Sequence, residues 1–259
     1  PDQIQQVKYS TFSDCIVFSF PVRQTNHLFL SLIPLIWLQA ILVWQHNILL
    51  RGALTIGEIY HDENMVFGPA MVEAYELESK VAEFPRIILH DKIEADYEQW
   101  LAEVRATDDQ ERIYDLENEK NYTFKPKGLL TKDNDGHYYV DYLEKFAGEM
   151  DNPENYVNFI AHIESFIEPY LKPDTAPSIL KKYIWLYEKI QKIKALNEIA
   201  QQRKQSLAQM ALAWLLKDNR ITSVLIGASS VSQLKNNLNS LQQLDFSKSD
   251  LASIESILK

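Results

Sequence analysis

A charge-free apolar run from Leu28 to Trp44, LFLSLIPLIWLQAILVW, most constrains how this chain folds. Its length lies at the lower limit for a membrane-spanning helix, about 17 to 25 residues. Ser31, Pro34 and Gln39 interrupt it, no cluster of Lys or Arg lies beside it, and strand-like sequence resumes at Ile48. These features favour a helix buried in a protein core over a membrane span.

Alternating and β-branched stretches on both sides of this run predict strands. VKYSTFSDCIVFSFPV predicts a two-stranded hairpin that turns at Ser13 and Asp14. ILLRGALTIGEIY and PRIILHD predict two further strands, and Pro69 opens a predicted helix between them. The predicted order is therefore strand, strand, helix, strand, helix, strand.

The remaining sequence predicts one more hairpin and then helices. DNDGHYYVDYL predicts a strand pair that turns at residues 134–136. NPENYVNFIAHIESFIEPYL and SILKKYIWLYEKIQKIKALNEIAQQRK predict amphipathic helices, the second of which runs to about Lys204. Ser206 caps a further predicted helix, and Ser247 with Asp250 has the spacing of a capping box.

Composition excludes some classes of partner. The chain is 46% hydrophobic and 24% charged, with a formal net charge of −10, and the acidic excess lies before Ala195. This balance is unsuited to a nucleic-acid backbone, so no nucleic-acid partner is expected. The single cysteine, Cys15, cannot form an internal disulfide, and no signal peptide precedes the first apolar segment. A cytoplasmic location is the expectation.

Residues 7–91 resemble the catalytic domain of class III nucleotide cyclases. In that family a Gly-Asp hairpin supplies one of two carboxylates that hold divalent metal ions, followed by an Arg-Ile-Gly-Ile strand and a Val-Asn-x-Ala-x-Arg-Leu-Glu helix. Asp14 matches the hairpin carboxylate, residues 51–57 match the strand, and residues 71–78 match the helix. The resemblance implies a metal ligand at Asp14 and a small-molecule nucleotide as partner; a simple turn residue is the alternative role for Asp14.

Several positions depart from the cyclase pattern. The second metal-binding carboxylate belongs to a strand that would precede Pro1, and Val72 and Glu76 occupy the positions of the Asn and Arg that stabilise the transition state. A Glu in place of a phosphate-binding Arg repels the substrate. His61 begins a His-Asp-Glu run of metal-capable residues, but successive positions cannot all face one ion, so a solvated loop is expected there.

Near the C-terminus, SVLIGASSVSQLKNNL predicts a strand that turns directly into a helix. Gly227 permits a close backbone approach, and Ser229 and Ser230 stand where the helix begins. Gln233 is placed to complete a capping box. The amides at such a helix start favour an anion. An ordinary capped helix after a strand is the alternative interpretation of this segment alone.

Residues 195–258 closely resemble the C-terminal end of aldo-keto reductases, nearest to the bacterial type that reduces glyceraldehyde 3-phosphate. In that family this segment is the last strand of a TIM barrel with its flanking helices, and it binds the adenosine 2′-phosphate end of NADP(H). The resemblance implies that Gly227, Ala228 and Ser229 line the phosphate site. It also implies that Gln233 and Asn237 contact the adenosine. Asn236 stands where relatives often have Glu.

The match departs from the family at two points. Ser230 and Val231 fall where many relatives place a basic side chain for the 2′-phosphate, so a preference for NADP over NAD is not predicted. The family transfers hydride with an Asp-Tyr-Lys-His tetrad in which Tyr donates the proton. Nothing upstream of Ala195 supplies that tetrad, so no catalytic residue is predicted.

The sequence as a whole therefore predicts an α+β fold: a truncated, cyclase-like antiparallel sheet with helices over residues 1–194, and a helical tail over residues 195–259 that carries one TIM-barrel strand. The join falls inside one predicted helix and indicates a gene fusion, gene decay or an error of sequence assembly. Three hypotheses follow: a partial nicotinamide dinucleotide site, a cyclase-like binding or regulatory module, or a structural remnant that self-associates through exposed edges.

Overall fold

The structure is a computed structural model that describes residues 7–24, 26–125, 128–150, 152–224, 226–228 and 230–258. It divides into two compact units, Pro1–Tyr142 and Leu143–Lys259.

The first unit holds all the described strands and four helices of the chain. Its strands are β1 (Lys8–Phe12), β2 (Cys15–Ser19), β3 (Gly52–Leu54), β4 (Tyr60–His61), β5 (Val66–Phe67), β6 (Ile87–Leu89), β7 (Leu130–Lys132) and β8 (Tyr138–Val140). Its helices are α1 (His27–His46), α2 (Pro69–Lys80), α3 (Lys92–Arg105) and α4 (Gln110–Phe124). The element order predicted for residues 7–91 is confirmed, with the short β4–β5 hairpin added.

The central sheet has four strands in the order β3, β6, β8, β7. β6 pairs in parallel with β3, and in antiparallel with β8, which forms the predicted hairpin with β7. The sheet is thus mixed, whereas an antiparallel sheet was expected. The reason is the connection through α2, because a crossover helix returns the next strand in the same direction as the first. The β1–β2 hairpin and the β4–β5 hairpin form separate two-stranded sheets.

The apolar run forms α1, the one helix of the described ranges that is long and apolar enough to cross a membrane. One face of α1 is buried in the first unit, through Leu28, Leu32, Ile36, Ala40 and Val43. These residues recur at three- and four-residue intervals, as in a core-facing helix. The predicted burial of this helix is confirmed for that face. Its opposite face is partly exposed.

A buried carboxylate on α4 caps the N-terminus of α1. Asn26 precedes the helix with φ 62°, and its own side chain makes no capping hydrogen bond. Instead the Glu119 carboxylate accepts hydrogen bonds from the amides of Leu28 at 2.8 Å and Phe29 at 3.1 Å, and from the Tyr97 hydroxyl at 2.6 Å. Burial, followed by the bond to Glu119, raises the pKa of Tyr97. The negative charge lies at the positive end of the helix dipole, where it is stabilising.

The second unit is helical. Its helices are α5 (Tyr142–Lys145, at the boundary between the units), α6 (Pro153–Ile167), α7 (Pro177–Gln202), α8 (Leu207–Leu216), α9 (Val231–Leu238) and α10 (Lys248–Leu258). The cap predicted at Ser206 and the capping box predicted at Ser247 and Asp250 are present: Ser206 Oγ accepts from the Gln209 amide at 3.2 Å, and Ser247 Oγ accepts from the Asp250 amide at 3.0 Å. Such caps satisfy amides that a helix start leaves without an intrahelical acceptor.

The α7 helix crosses the expected boundary between residues 194 and 195 without a break. It packs against α6, α8 and α10, and its residues after that position, Ile199 and Ala200, form a core with Met210 and Ile254. Glu164 on α6 accepts hydrogen bonds at 2.8 Å from Gln191 and Lys194. The second compact unit begins at Leu143, and the domain boundary expected between residues 194 and 195 stays a prediction.

The strand expected at Val224–Ile226 is not formed by the residues that the structure describes there. Val224 and Ile226 lie in an irregular segment, and Leu225 lies outside the described residues. The physical reason is the absence of a partner, since the described part of the second unit contains no strand that would complete a ladder. A TIM-barrel arrangement of this segment therefore stays a prediction.

A buried arginine joins the end of α7 to the segment that leads into α10. Arg203 Nη1 donates to the Asp245 carbonyl at 2.8 Å and to Asp250 Oδ2 at 3.2 Å. The guanidinium lies 3.6 Å from the centre of the Phe246 ring, and its Nε donates to the Gln205 side chain at 3.0 Å. Partial burial alone would raise the pKa of Asp250, but hydrogen bonds from Ser247 and the nearby Arg203 charge outweigh it and lower that pKa.

Replacing Glu119 with Ala should destabilise the chain by about 2 to 4 kcal/mol, because buried amide and hydroxyl donors lose their acceptor. Urea unfolding followed by circular dichroism measures this. The matched control is Glu117→Ala on the same helix, which removes an exposed pair with Arg105 and should leave the free energy of unfolding nearly unchanged. Equal losses in the two variants would contradict the capping role of Glu119.

Replacing Arg203 with Met should also cost about 2 to 4 kcal/mol, because Asp250 and the neighbouring carbonyls lose a buried donor. The control is Arg220→Met, since Arg220 is 89% exposed and pairs with Asp218 at the surface. That variant should unfold at nearly the urea concentration of the parent. A stable Arg203→Met chain would show that apolar packing alone holds this region.

Candidate functional site

The start of α9 forms the turn that the sequence predicts for an anion. Ser230 has extended dihedral angles, φ −142° and ψ 156°, and its Oγ accepts from the Gln233 amide at 3.1 Å. The Leu234 amide bonds to the Ser230 carbonyl at 3.0 Å, which closes the first turn. The amides of Val231 and Ser232 have no intrahelical acceptor by their position, so they are available to an anion.

Two described residues shortly before Ser230 are open to solvent. Gly227 and Ala228 are both exposed, and Ser229 lies outside the described residues. A Cβ built on Gly227 meets no heavy atom within 4 Å. The protein's own packing therefore does not require a glycine at this position, and the space above it is free for a ligand group.

Gln233, Asn236 and Asn237 are the half-buried polar residues of α9. Gln233 and Asn237 stand one turn apart and follow Ser230 at helical spacing, so these three share a face. Both are half-buried. The Asn236 Oδ1 atom is buried and has no hydrogen-bond partner in the described part of the chain. The structure thus brings together Ser230, Gln233 and Asn237 on the face where the helix begins, while the amide oxygen of Asn236 has no access to solvent.

Gln209 supports this turn and was missed at the sequence level. Its Oε1 accepts from the Ser206 amide at 2.9 Å, which completes the capping box of α8. Its Nε2 donates to the Asn236 carbonyl at 2.9 Å and so ties α8 to α9. The Ser-x-x-Gln spacing was a usable signal for the cap, but no sequence pattern indicated the bond to α9.

The charged residues of α9 are compatible with a bound anion but do not favour one anion over another. The first turn of the helix contains no acidic side chain, and its basic residue, Lys235, lies in the last turn. A phosphate at Ser230 would therefore interact with the helix start and hydroxyl groups rather than with a cation in the first turn. These residues fit a phosphate group of a dinucleotide, and nothing in this helix distinguishes a 2′-phosphate from another phosphate.

Asp14 lies exposed in the turn between β1 and β2, after Ser13 with φ 54°. Within the described residues, no three His, Cys, Asp or Glu side chains are grouped as they would be to hold a metal ion. The hairpin itself is as predicted. The metal-binding role of Asp14 stays a prediction.

His61, expected in a solvated loop, is instead only 6% exposed. Its Nε2 lies 2.8 Å from Ser10 Oγ and its Nδ1 lies 2.7 Å from Ser19 Oγ. The expectation was wrong because the β1–β2 hairpin covers the ring, and no local sequence pattern indicates that long-range contact. Asp62 accepts from the amides of Asn64 and Met65, so it shapes the turn of the β4–β5 hairpin.

Comparisons with known proteins identify the part of the chain that carries α9. The chain is 60% identical over 63 residues to the L-glyceraldehyde 3-phosphate reductase of Escherichia coli strain K12, a match that covers 24% of this chain and 18% of that protein. The corresponding reductase of Escherichia coli O157:H7 is 59% identical over 63 residues, with the same coverage. The chain thus spans less than a fifth of the length of the curated relatives it matches.

The family model described as aldo/keto reductase matches residues 122–259. The match begins well before Ala195, so it extends the resemblance seen in the sequence through α6 and α7. It does not include residues 7–91, whose resemblance to nucleotide cyclases stays a prediction. Since the match covers more than half of the 259 residues, this chain belongs to the aldo/keto reductase family.

Proposed function

We propose that the second unit binds the phosphate end of a nicotinamide adenine dinucleotide, NADP(H) or NAD(H), at the start of α9. The observation that carries this proposal is the Ser230 cap, which fixes the first turn of α9. The amides of Val231 and Ser232 in that turn have no intrahelical acceptor. We assign phosphate binding to this chain, and not carbonyl reduction, because no proton-donating tetrad is identified in its sequence.

The residues named from the family resemblance supply different contacts in this proposal. Backbone amides at the start of α9 and the exposed backbone of Gly227 and Ala228 contact the phosphate oxygens. Gln233 and Asn237 hydrogen-bond the adenosine, since they lie on the same face as Ser230. A bound dinucleotide supplies the hydride chemistry of the family. The role of this chain is to hold the adenosine end.

Two features of the site lower its affinity. The described residues that lead into the turn, 221–224 and 226–228, form no helix or strand, and in this proposal the ligand orders them. Ordering costs about 1 to 2 kcal/mol per residue in backbone entropy. Across a few residues this is comparable with the whole binding free energy of a millimolar ligand, about 4 kcal/mol. The first turn of α9 also provides no cation.

NADP should therefore bind with a dissociation constant no tighter than about 1 mM, and NAD should bind about equally. Amide chemical shifts of residues 230–234, followed by NMR during titration with each dinucleotide, measure this. Ser230→Asp should abolish the shifts, because its carboxylate repels the phosphate while Asp still caps the helix.

The matched control is Ser230→Asn, which keeps the cap without the charge and should retain the shifts. Shifts that spread over other parts of the chain and are insensitive to Ser230→Asp would contradict binding at α9. A micromolar constant would show that the turn is already ordered before the ligand binds.

A nucleotide-binding module in the first unit is a second candidate. What favours it is the order of β1, β2, α1, β3 and α2, together with Asp14 at the hairpin turn. At the transition-state positions, Val72 is 60% exposed and Glu76 pairs with Lys80 at 2.7 Å. Neither side chain donates to a phosphate, so this unit would bind a nucleotide without cyclising it.

The first unit should make no cyclic nucleotide from any of the four common nucleoside triphosphates with Mn²⁺. Loss of a single electrostatic donor to a transition state typically slows a reaction by about 100- to 1000-fold. Chromatographic assay for the cyclic product tests this, with Asp14→Ala as the matched variant. Cyclic product that depends on Asp14 would overturn the expectation.

We also propose a cytoplasmic location for this chain and its association with copies of itself. The single thiol of Cys15 suits a reducing cytoplasm. Exposed apolar side chains on the β1–β2 hairpin, among them Tyr9, Ile16 and Phe18, would favour self-association. This is the basis of the third hypothesis, a remnant that associates through exposed edges.

A further inference from the structure

We infer that Ser19 and His61, in the first unit, form a nucleophile and general-base pair that hydrolyses small carboxylic esters. This site is separate from the start of α9. It rests on the imidazole of His61, which is almost fully buried and is bonded at both nitrogens to serine hydroxyls.

The hydrogen bonds of the ring determine how it acts. A neutral imidazole has one N–H and one lone pair, so one of its two hydroxyl partners must donate to the ring. The oxygen of that hydroxyl lies 2.7 or 2.8 Å from the ring nitrogen that accepts its hydrogen bond. At this distance the imidazole can act as a base and take the proton of the attacking hydroxyl. The other hydroxyl accepts from the ring N–H and fixes the orientation of the ring.

A surface cavity identifies Ser19 as the nucleophile. The cavity has a volume of about 350 Å³ and contains Ser19 in its wall, with Lys8, Phe20, Pro21, Ile59, Tyr60 and Asp62. Ser10 does not line it. The reactive tautomer is therefore the one in which Nδ1 accepts from Ser19 and Nε2 donates to Ser10. The cavity is open to solvent, so a small ester reaches Ser19 from solution.

The cavity wall favours an ester with a short apolar acyl group. Phe20, Pro21 and Ile59 supply apolar surface. Lys8 pairs with Ser19 across the β1–β2 ladder, and its ammonium group donates to the His61 carbonyl at 2.6 Å. This positive charge lies in the same cavity wall as Ser19, and in the proposed reaction it stabilises the oxyanion that forms when the hydroxyl attacks a carbonyl.

The reaction consumes only the ester and water. Ser19 Oγ bonds to the carbonyl carbon while its proton passes to His61 Nδ1. The ester C–O bond then breaks, and the alcohol oxygen takes that proton. Water attacks the acyl-serine, gives a proton to His61, and releases the carboxylic acid as Ser19 Oγ recovers the proton.

The test uses the full chain and 4-nitrophenyl acetate, with nitrophenolate release followed by absorbance and the acyl adduct located by mass spectrometry. The parent chain should release nitrophenolate and carry one acetyl group on Ser19. Ser19→Ala should lose both, and His61→Gln should lower the acylation rate by about 100-fold. Ser79→Ala, at another hydroxyl of the first unit that bonds only to its own helix, is the control and should match the parent.

Two further variants separate chemistry from folding. Ser19→Cys should still be acylated at the same position, as a thioester. Ser10→Ala should lower the rate because it removes the hydroxyl beside Nε2. Ser10→Thr keeps that hydroxyl and should keep the rate of the parent chain. Circular dichroism should be the same for all variants. Acetylation confined to lysine side chains, or nitrophenolate release that is unchanged in Ser19→Ala, would overturn the proposal.

Discussion

The buried guanidinium of Arg203 holds together the part of the chain that carries the candidate phosphate site. A cation that is removed from water must be paired and hydrogen-bonded, or it destabilises its surroundings. Here its partners are a carboxylate on α10, carbonyl groups of the preceding segment and the face of Phe246. The end of α7 and the start of α10 are therefore fixed to each other by one side chain, and α8 begins four residues after it.

The phosphate turn depends on a second polar contact, which Gln209 makes from α8. Its bond to the Asn236 carbonyl connects α9 to the part that Arg203 organises. In a barrel, a strand-to-helix turn would be held by ladder hydrogen bonds on both sides of the strand. In the described residues of this unit, the support comes from the side-chain amide of Gln209 and from helix packing.

The sequence predicted the elements whose formation depends on residues near them in the chain. Hairpin turns at Ser13 and at residues 134–136, and helix starts at Pro69 and Ser206, all follow from local backbone chemistry and were found as predicted. Long-range contacts were not predictable in the same way. Glu119 and His61 each have partners tens of residues distant in the chain. Only folding brings those groups together, and the same holds for the parallel pairing of β3 with β6.

The continuity of α7 through residues 194 and 195 also limits how such a chain can arise. Each residue of an α-helix advances the side-chain direction by about 100°. If two coding segments were joined inside this helix, a single added or deleted residue would rotate every later side chain by that angle, and Ile199 and Ala200 would leave the core they form with Met210. A recombination point inside this helix therefore preserves the core only if it also keeps the rotational position of the later side chains. That is a stricter condition than keeping the reading frame.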